Sequence, residues 1–326
     1  MPSSNTARVF GKAILFGEHA VVYGVPAIAI PVNRWLSVEV SGSAGATELI
    51  ADCWQVAVKL GVEQPAAATL QRALARALQV TSRCPLQIVA RVDSDIPRSA
   101  GLGSSAALSV ALVRALAGFA DESLTLAQVI NRAAEVERIF HANPSGVDHS
   151  VVAIGRPIAF RKESGAEPAI ELGKRLKLVV ATAGSHGGTA SRVTALASRR
   201  QLMGDLYQDA FAAIGRLVTR AREALKKGEL AELGALMDFN QGLLNALGVS
   251  SPELERGIGI AREAGALGAK LSGAGGGGAF LALCGDDPKP VLQALSAAGF
   301  DPFETTLAPD RQGHALVEEI GETPLP

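Results

Sequence analysis

The spacing of hydrophobic and polar positions changes several times along the chain, and each change marks an element. Apolar and β-branched residues crowd Arg8–Phe16 and Ala27–Val40, with Gly17 and Gly24 as punctuation, which predicts strand, turn, strand. Residues 46–80 set Leu, Ala and Val three and four apart with Arg on the other side, which predicts a helix. Residues 85–93 alternate as a strand. A glycine-bearing turn at 97–103 leads into an Ala/Leu-rich helix from Ser104 to Phe119, and a second helix is predicted over 126–140. The stretch 141–150 is polar and turn-forming and precedes the apolar run VVAIG. Residues 162–175, polar with Pro and Gly, lie between two strand signals and are the expected domain connection. LKLVVATAG then reads as a buried strand, and 189–248 as helical with breaks near Gly204 and Gly228. Residues 252–265 read as a helix with Ser251 as N-cap and Pro252 in the first turn. The end alternates: strand 268–272, loop 273–278, strand 279–284, helix 288–299, strands 301–308 and 313–319. This mixture lacks the regular rhythm of a doubly wound parallel sheet, so two α+β domains are expected.

Composition narrows the function classes. A chain of 326 residues has room for two cores, and 48% hydrophobic with 19% charged residues suits compact domains rather than disorder. Lys and Arg number 31 against 32 Asp and Glu, interspersed, so no basic face is offered to nucleic acid and a bound phosphate would need a local site. Cys53, Cys84 and Cys284 are odd in number and lack metal-ligand spacing, which points to reduced thiols in a cytoplasmic protein. No signal-peptide pattern opens the chain, and the early apolar stretch Ala20–Val32 is broken by Gly24, Pro26 and Pro31, so no membrane partner is expected.

Three glycine-bearing segments carry candidate chemistry. In Pro97-Arg98-Ser99-Ala100-Gly101-Leu102-Gly103-Ser104-Ser105-Ala106-Ala107, the glycines let the backbone approach an anion and the helix that follows adds free N–H groups and the positive end of its dipole. A di- or triphosphate is the natural occupant. Ser104 and Ser105 can cap the helix, and one hydroxyl could reach a phosphate-bound cation. An ordinary capped strand-to-helix turn is the competing account. The segment is not a P-loop, because GxxxxGK[ST] is absent. Ser272–Gly278 holds five glycines in seven residues, a density that marks close backbone approach unless the hairpin is merely loose. In the third segment, GKAILFGEHAVVYG at 11–24, Lys12 sits inside an apolar strand, where a buried ammonium needs a partner, and Glu18 and His19 follow in the turn. Two carboxylates complete the set: Glu137 near the end of the helix 126–140, with Arg132 or Arg138 as alternative partners, and Asp148 in the turn NPSGVD. Phosphoryl transfer needs backbone amides for phosphates, a magnesium held by few protein oxygens, a group to orient the hydroxyl, and a cation. The sequence supplies one of each.

In their order and positions these segments resemble the GHMP kinase family, over essentially the whole chain. GKAILFGEHAVVYG and HANPSGVDHS are most similar to the members of that family that phosphorylate mevalonate, whereas the galactokinases carry GEHxDY at the first of these positions. The resemblance implies a pair of α+β domains, an N-terminal ATP-binding one over 1–174 like ribosomal protein S5 domain 2 and a ferredoxin-like one over 175–326. It implies ATP as co-substrate, Mg2+, mevalonate as acceptor and frequent homodimers. Residue by residue, Asp148 would be the catalytic base or orienter for the acceptor hydroxyl, and Lys12 would lie beside it, keep it ionised and stabilise charge on the transferred phosphoryl. Glu137 and Ser105 would hold Mg2+, and 97–107 would wrap the triphosphate. Glu18, His19, Thr189 and Ala274 would face the acceptor side. Sister activities on phosphomevalonate, the mevalonate 3-hydroxyl or a sugar share the fold, as would a non-catalytic nucleotide sensor. Arg161, Lys162 and Arg192 are candidate partners for a phosphorylated acceptor. Two departures stand out: Ser99 where the family commonly has Gly, expected to fit its turn with φ below zero, and His149 where Asn is usual.

Overall fold

The computed structural model describes residues 4–81, 87–141, 144–168, 170–184, 196, 198–310 and 315–318. The chain divides into two compact units. The first comprises Met1–Gly11, Arg34–Pro97 and Gly103–Gly155; the second comprises Lys12–Asn33, Arg98–Leu102 and Arg156–Pro326. Strands β1 (Ser4–Phe16) and β2 (Ala27–Gly42) are long enough to contribute to both.

In the first unit β2 continues into β3 (Glu48–Ala51), β4 (Val56–Lys59), helix α1 (Ala68–Val80) and β5 (Ile88–Ser94). β5 pairs antiparallel with β2, from Leu36↔Ser94 to Gly42↔Ile88, and parallel with β3, whose other edge pairs with β4. Only the end of the stretch 46–80 is therefore α-helical, short 3-10 turns aside. Leu49, Cys53 and Val56 fall at helical spacing, but the buried apolar positions are Leu49, Ala51 and Val58, and Gln55 turns the chain with φ of 54°. The inward face there has the period of a strand. Helix α2 (Ser104–Phe119) buries twelve of its sixteen residues, so it sits at the centre of the unit, with α1, α3 (Leu126–Glu137) and α4 (Val147–Ile154) packed on it. α3 starts at a capping box between Thr125 and Gln128.

In the second unit β6 (Ile158–Arg161) pairs with Ala27–Ala29 and with β7 (Gly165–Pro168), a strand inside the stretch 162–175. β8 (Leu176–Ala183), α5 (Gly204–Lys227), α6 (Leu230–Ala246) and α7 (Pro252–Glu263) follow, then β9 (Gly268–Leu271), β10 (Gly278–Cys284), α8 (Lys289–Ala297), β11 (Phe303–Pro309) and β12 (Ala315–Glu318). The sheet runs β12-β11-β8-β10-β9 and is antiparallel throughout. Ser251 caps α7 through Leu254 N–H, as expected. Phe211, Ile214, Leu244, Ile258, Leu271, Phe280 and Leu295 share one apolar core. Burial in β10 pushes the Cys284 thiol up to about 11, while Cys53 is exposed; both are free thiols, and Cys84 lies outside the described residues. No helix among the described residues is long and apolar enough to cross a membrane.

Edge strand β9 is covered by helix α6. Asp238 Oδ1 accepts from Ala269 N–H at 2.8 Å and Gln241 Oε1 from Leu271 N–H at 2.9 Å, so the helix supplies the acceptors that a further strand would. Close approach depends on Gly234, where a Cβ would lie 2.2 Å from Leu267 O. The neighbour is backbone and cannot turn aside. Gly234→Ala is expected to destabilise the protein by about 1–3 kcal/mol or more through overpacking. Thermal unfolding checks this, and an unchanged Tm would count against the close-packing account.

Candidate active site

The 97–103 turn is built on left-handed backbone: Ser99 has φ of 56°, Gly101 of 78° and Gly103 of 79°. The expectation of a negative φ at Ser99 is corrected. A side chain there carries a Cβ in a region that favours glycine, so the turn is held against its intrinsic preference. The capping expectation is corrected too. Gly103 is the N-cap of α2, no side chain caps the helix, and its first internal bond is Ala107 N–H to Gly103 O at 2.8 Å. Ser104 and Ser105 are instead the first residues of the helix. An N-terminus without a side-chain cap keeps its dipole and its leading amides for an anion.

One turn along α2 the hydroxyls meet a buried carboxylate. Glu137, 1% exposed, accepts from Ser105 Oγ at 2.8 Å through Oε1 and from Ser109 Oγ at 3.1 Å through Oε2. His141 Nε2 lies 3.4 Å from Ser105 Oγ and 3.6 Å from Glu137 Oε1. The two arginines that could have taken Glu137 go elsewhere, Arg132 to Glu122 and Arg138 to Glu135. The packing of α3 on α2 thus brings together Ser105 and Glu137, and adds Ser109 and His141. The sequence signal for these two was one helical turn, Ser105 to Ser109 and Glu137 to His141. A carboxylate and a hydroxyl are hard oxygen donors and fit Mg2+. Among the described residues no cluster of three or more His, Cys, Asp and Glu could hold a metal, so an ion here would draw its other ligands from phosphate and water.

Asp148 belongs not to a turn but to the first turn of α4, after Gly146 with φ of 95°. An acidic side chain is favoured there by the helix dipole. Beside it His149 is buried, with no hydrogen-bond partner for Nδ1 among the described residues. Burial lowers its pKa below the usual histidine range, opposed by Asp148 and reinforced by Arg138.

In the second unit the three glycine-bearing segments converge. Lys12, 3% exposed, donates its backbone N–H to Leu102 O at 2.9 Å. Ile14 N–H donates to Ser272 Oγ at 2.8 Å. His19 Nε2 lies 3.1 Å from Ala274 O, and burial lowers its pKa. A Cβ on Gly278 would lie 3.1 Å from Ala100 O, and one on Gly275 2.0 Å from Val249 O. The 272–278 loop is therefore closely packed rather than loose, with Gly276 N–H also bonded to Val249 O at 2.8 Å. Glu18 is wholly enclosed, with its carboxylate on Lys270 and Asn240, two partners that the sequence alone did not suggest. Thr189 and Arg192 lie outside the described residues; Arg161 and Lys162 are exposed.

Residues 64–156 match the family described as GHMP kinases N terminal domain, and residues 221–301 match GHMP kinases C terminal. The mevalonate kinase of Pyrococcus abyssi is 33% identical, with 99% of this chain and 100% of that protein covered. The chain belongs to the GHMP kinases. The two-domain α+β fold is thus that of a GHMP kinase. Its fold is similar to the crystal structure of L. major mevalonate kinase in complex with R-mevalonate, with a TM-score of 0.80 and 29% identity over 93% of this chain and 96% of that one. It is similar also to the Methanococcus jannaschii mevalonate kinase, with a TM-score of 0.82 and 25% identity over 93% and 98%.

Proposed function

We propose that this GHMP kinase transfers the γ-phosphoryl group of ATP to the C5 hydroxyl of mevalonate, giving 5-phosphomevalonate and ADP. The observation that carries the phosphoryl-transfer reading is the Ser105–Glu137 pair at the foot of an uncapped helix that follows a left-handed glycine turn. The acceptor is inferred from relatives that bear the mevalonate kinase name across nearly the whole chain.

In this reading the amides of 97–107 and the N-terminus of α2 bind the triphosphate. Glu137 and Ser105 would hold Mg2+, the Ser105 hydroxyl turning its proton away from the carboxylate to present a lone pair; bound there, Mg2+ would supply charge neutralisation for the triphosphate. Asp148 accepts the proton of the acceptor hydroxyl as the phosphoryl group passes in line from the leaving ADP oxygen to the acceptor oxygen. Lys12 offsets charge on the migrating group. His19, Thr189 and Ala274 serve the acceptor, with Glu18 behind His19. Residues 1–174 form the nucleotide-binding domain and 175–326 the C-terminal one, in a cytoplasmic homodimer.

An ADP-release assay over mevalonate, phosphomevalonate, galactose and homoserine tests the acceptor. Release with mevalonate should exceed the others by orders of magnitude. Preference for phosphomevalonate or a sugar would replace the acceptor, and ATP binding without release on any alcohol would leave a nucleotide sensor.

A further inference from the structure

Behind the converging loops of the second unit lies a buried polar group. Lys270 on β9 and Glu18 after β1 are both 0% exposed. The Lys270 ammonium donates to Glu18 Oε1 and, at 2.5 Å, to Leu271 O. Asn240 Nδ2, also fully buried, donates to Glu18 Oε2 at 3.2 Å. Burial pushes the Lys270 pKa down and the Glu18 carboxylate holds it up, so the Lys270 charge depends on Glu18.

Folding alone gives little reason for this pair, since buried ion pairs can often be replaced by apolar residues of similar volume without loss of stability. Nor is it needed to dock the strand, because Asp238 and Gln241 already take the N–H groups of Ala269 and Leu271 on either side of Lys270. What the pair does grip is a turn. Glu18 lies between Gly17, with φ of 94° and its Cβ position 2.5 Å from Pro26 O, and His19, a side-chain-bearing residue with φ of 58°. Backbone of this kind persists only where its surroundings over-determine it. The turn places His19 against Ala274 O. The 98–102 segment is held separately, through Lys12 N–H on Leu102 O and the contact of Ala100 with Gly278.

We propose that Lys270 is a positioning residue: through Glu18 it fixes the Gly17–His19 turn, and so sets acceptor affinity without touching the acceptor. This rests on the reading that His19 serves the acceptor. Glu18, on this account, acts through the turn and not as a ligand. The nucleotide side, held by its own contacts, is left unaffected.

The test compares wild type, Lys270→Met and Glu18→Gln/Lys270→Met in steady-state kinetics, thermal unfolding and hydrogen exchange of residues 14–24. Lys270→Met leaves an unpaired buried carboxylate and is expected to lower Tm, raise KM for mevalonate about 10–100-fold through misplacement, and leave KM for ATP within about twofold. Exchange at 17–22 should quicken. The double variant removes both charges, so Tm should recover while the acceptor KM stays high and the turn stays fast-exchanging. Recovery of the acceptor KM together with Tm would overturn the proposal, as would an equal rise in the KM for ATP or unchanged exchange at 17–22. A wild type that turns over no mevalonate would sink the acceptor reading by itself, and the exchange rates would still decide whether Lys270 fixes the turn.

Discussion

Asp148→Asn is expected to lower kcat by about 10²–10⁴-fold, the usual worth of a positioned general base, with ATP affinity unchanged. The substitution keeps the shape of the side chain and removes its ability to take a proton. Asp148 stands in the first turn of α4, whose N-cap is Gly146 and whose residues from Val147 to Ala153 are largely buried. The helix is held by that packing, so the variant should fold. Loss of kcat with retained nucleotide binding separates a chemical role from a structural one. Activity within a few-fold of wild type would remove Asp148 from the mechanism.

Glu137→Gln is expected to act on a different axis. Glutamine can still meet Ser105 and Ser109, so α3 should stay packed on α2. The anionic ligand is lost, however, and Mg2+ takes few protein ligands, so each one counts. The Mg2+ concentration for half-maximal activity should rise by on the order of tenfold or more, with much of kcat recovered at high Mg2+. Titration of activity against Mg2+ at fixed ATP checks this. An unchanged requirement would mean that Glu137 is only a buried hydrogen-bond acceptor for two serines.

The sequence made these residues visible unevenly, for physical reasons. Helix α2 was readable because its Ala/Leu content is apolar on all sides and a glycine turn precedes it; its observed limits, Ser104–Phe119, are the expected ones. The hairpin of β3 and β4 was misread as helix because its apolar residues satisfy both periods over so short a stretch, and only burial separates them. Asp148 was placed in a turn because Asn, Pro, Ser and Gly precede it, yet those residues end at Gly146 and the helix starts at Val147. Ser105 and Glu137 were singled out separately, as a hydroxyl at a helix start and a carboxylate near a helix end, and joined as magnesium ligands only by resemblance; their contact needs the packing of α3 against α2, which no local pattern encodes. Lys270 was not singled out, because nothing near it in the chain marks a partner. Its partner Glu18 lies 252 positions away, a separation that only the tertiary fold closes.

The central claim is transfer of phosphate to one particular hydroxyl, and the product tests it most directly. Purified protein incubated with MgATP and mevalonate should yield one phosphomonoester per ADP, with carbon–phosphorus coupling at C5 in the nuclear magnetic resonance spectrum of the product. Phosphate on the 3-hydroxyl, or ADP release that does not depend on mevalonate, would contradict the account.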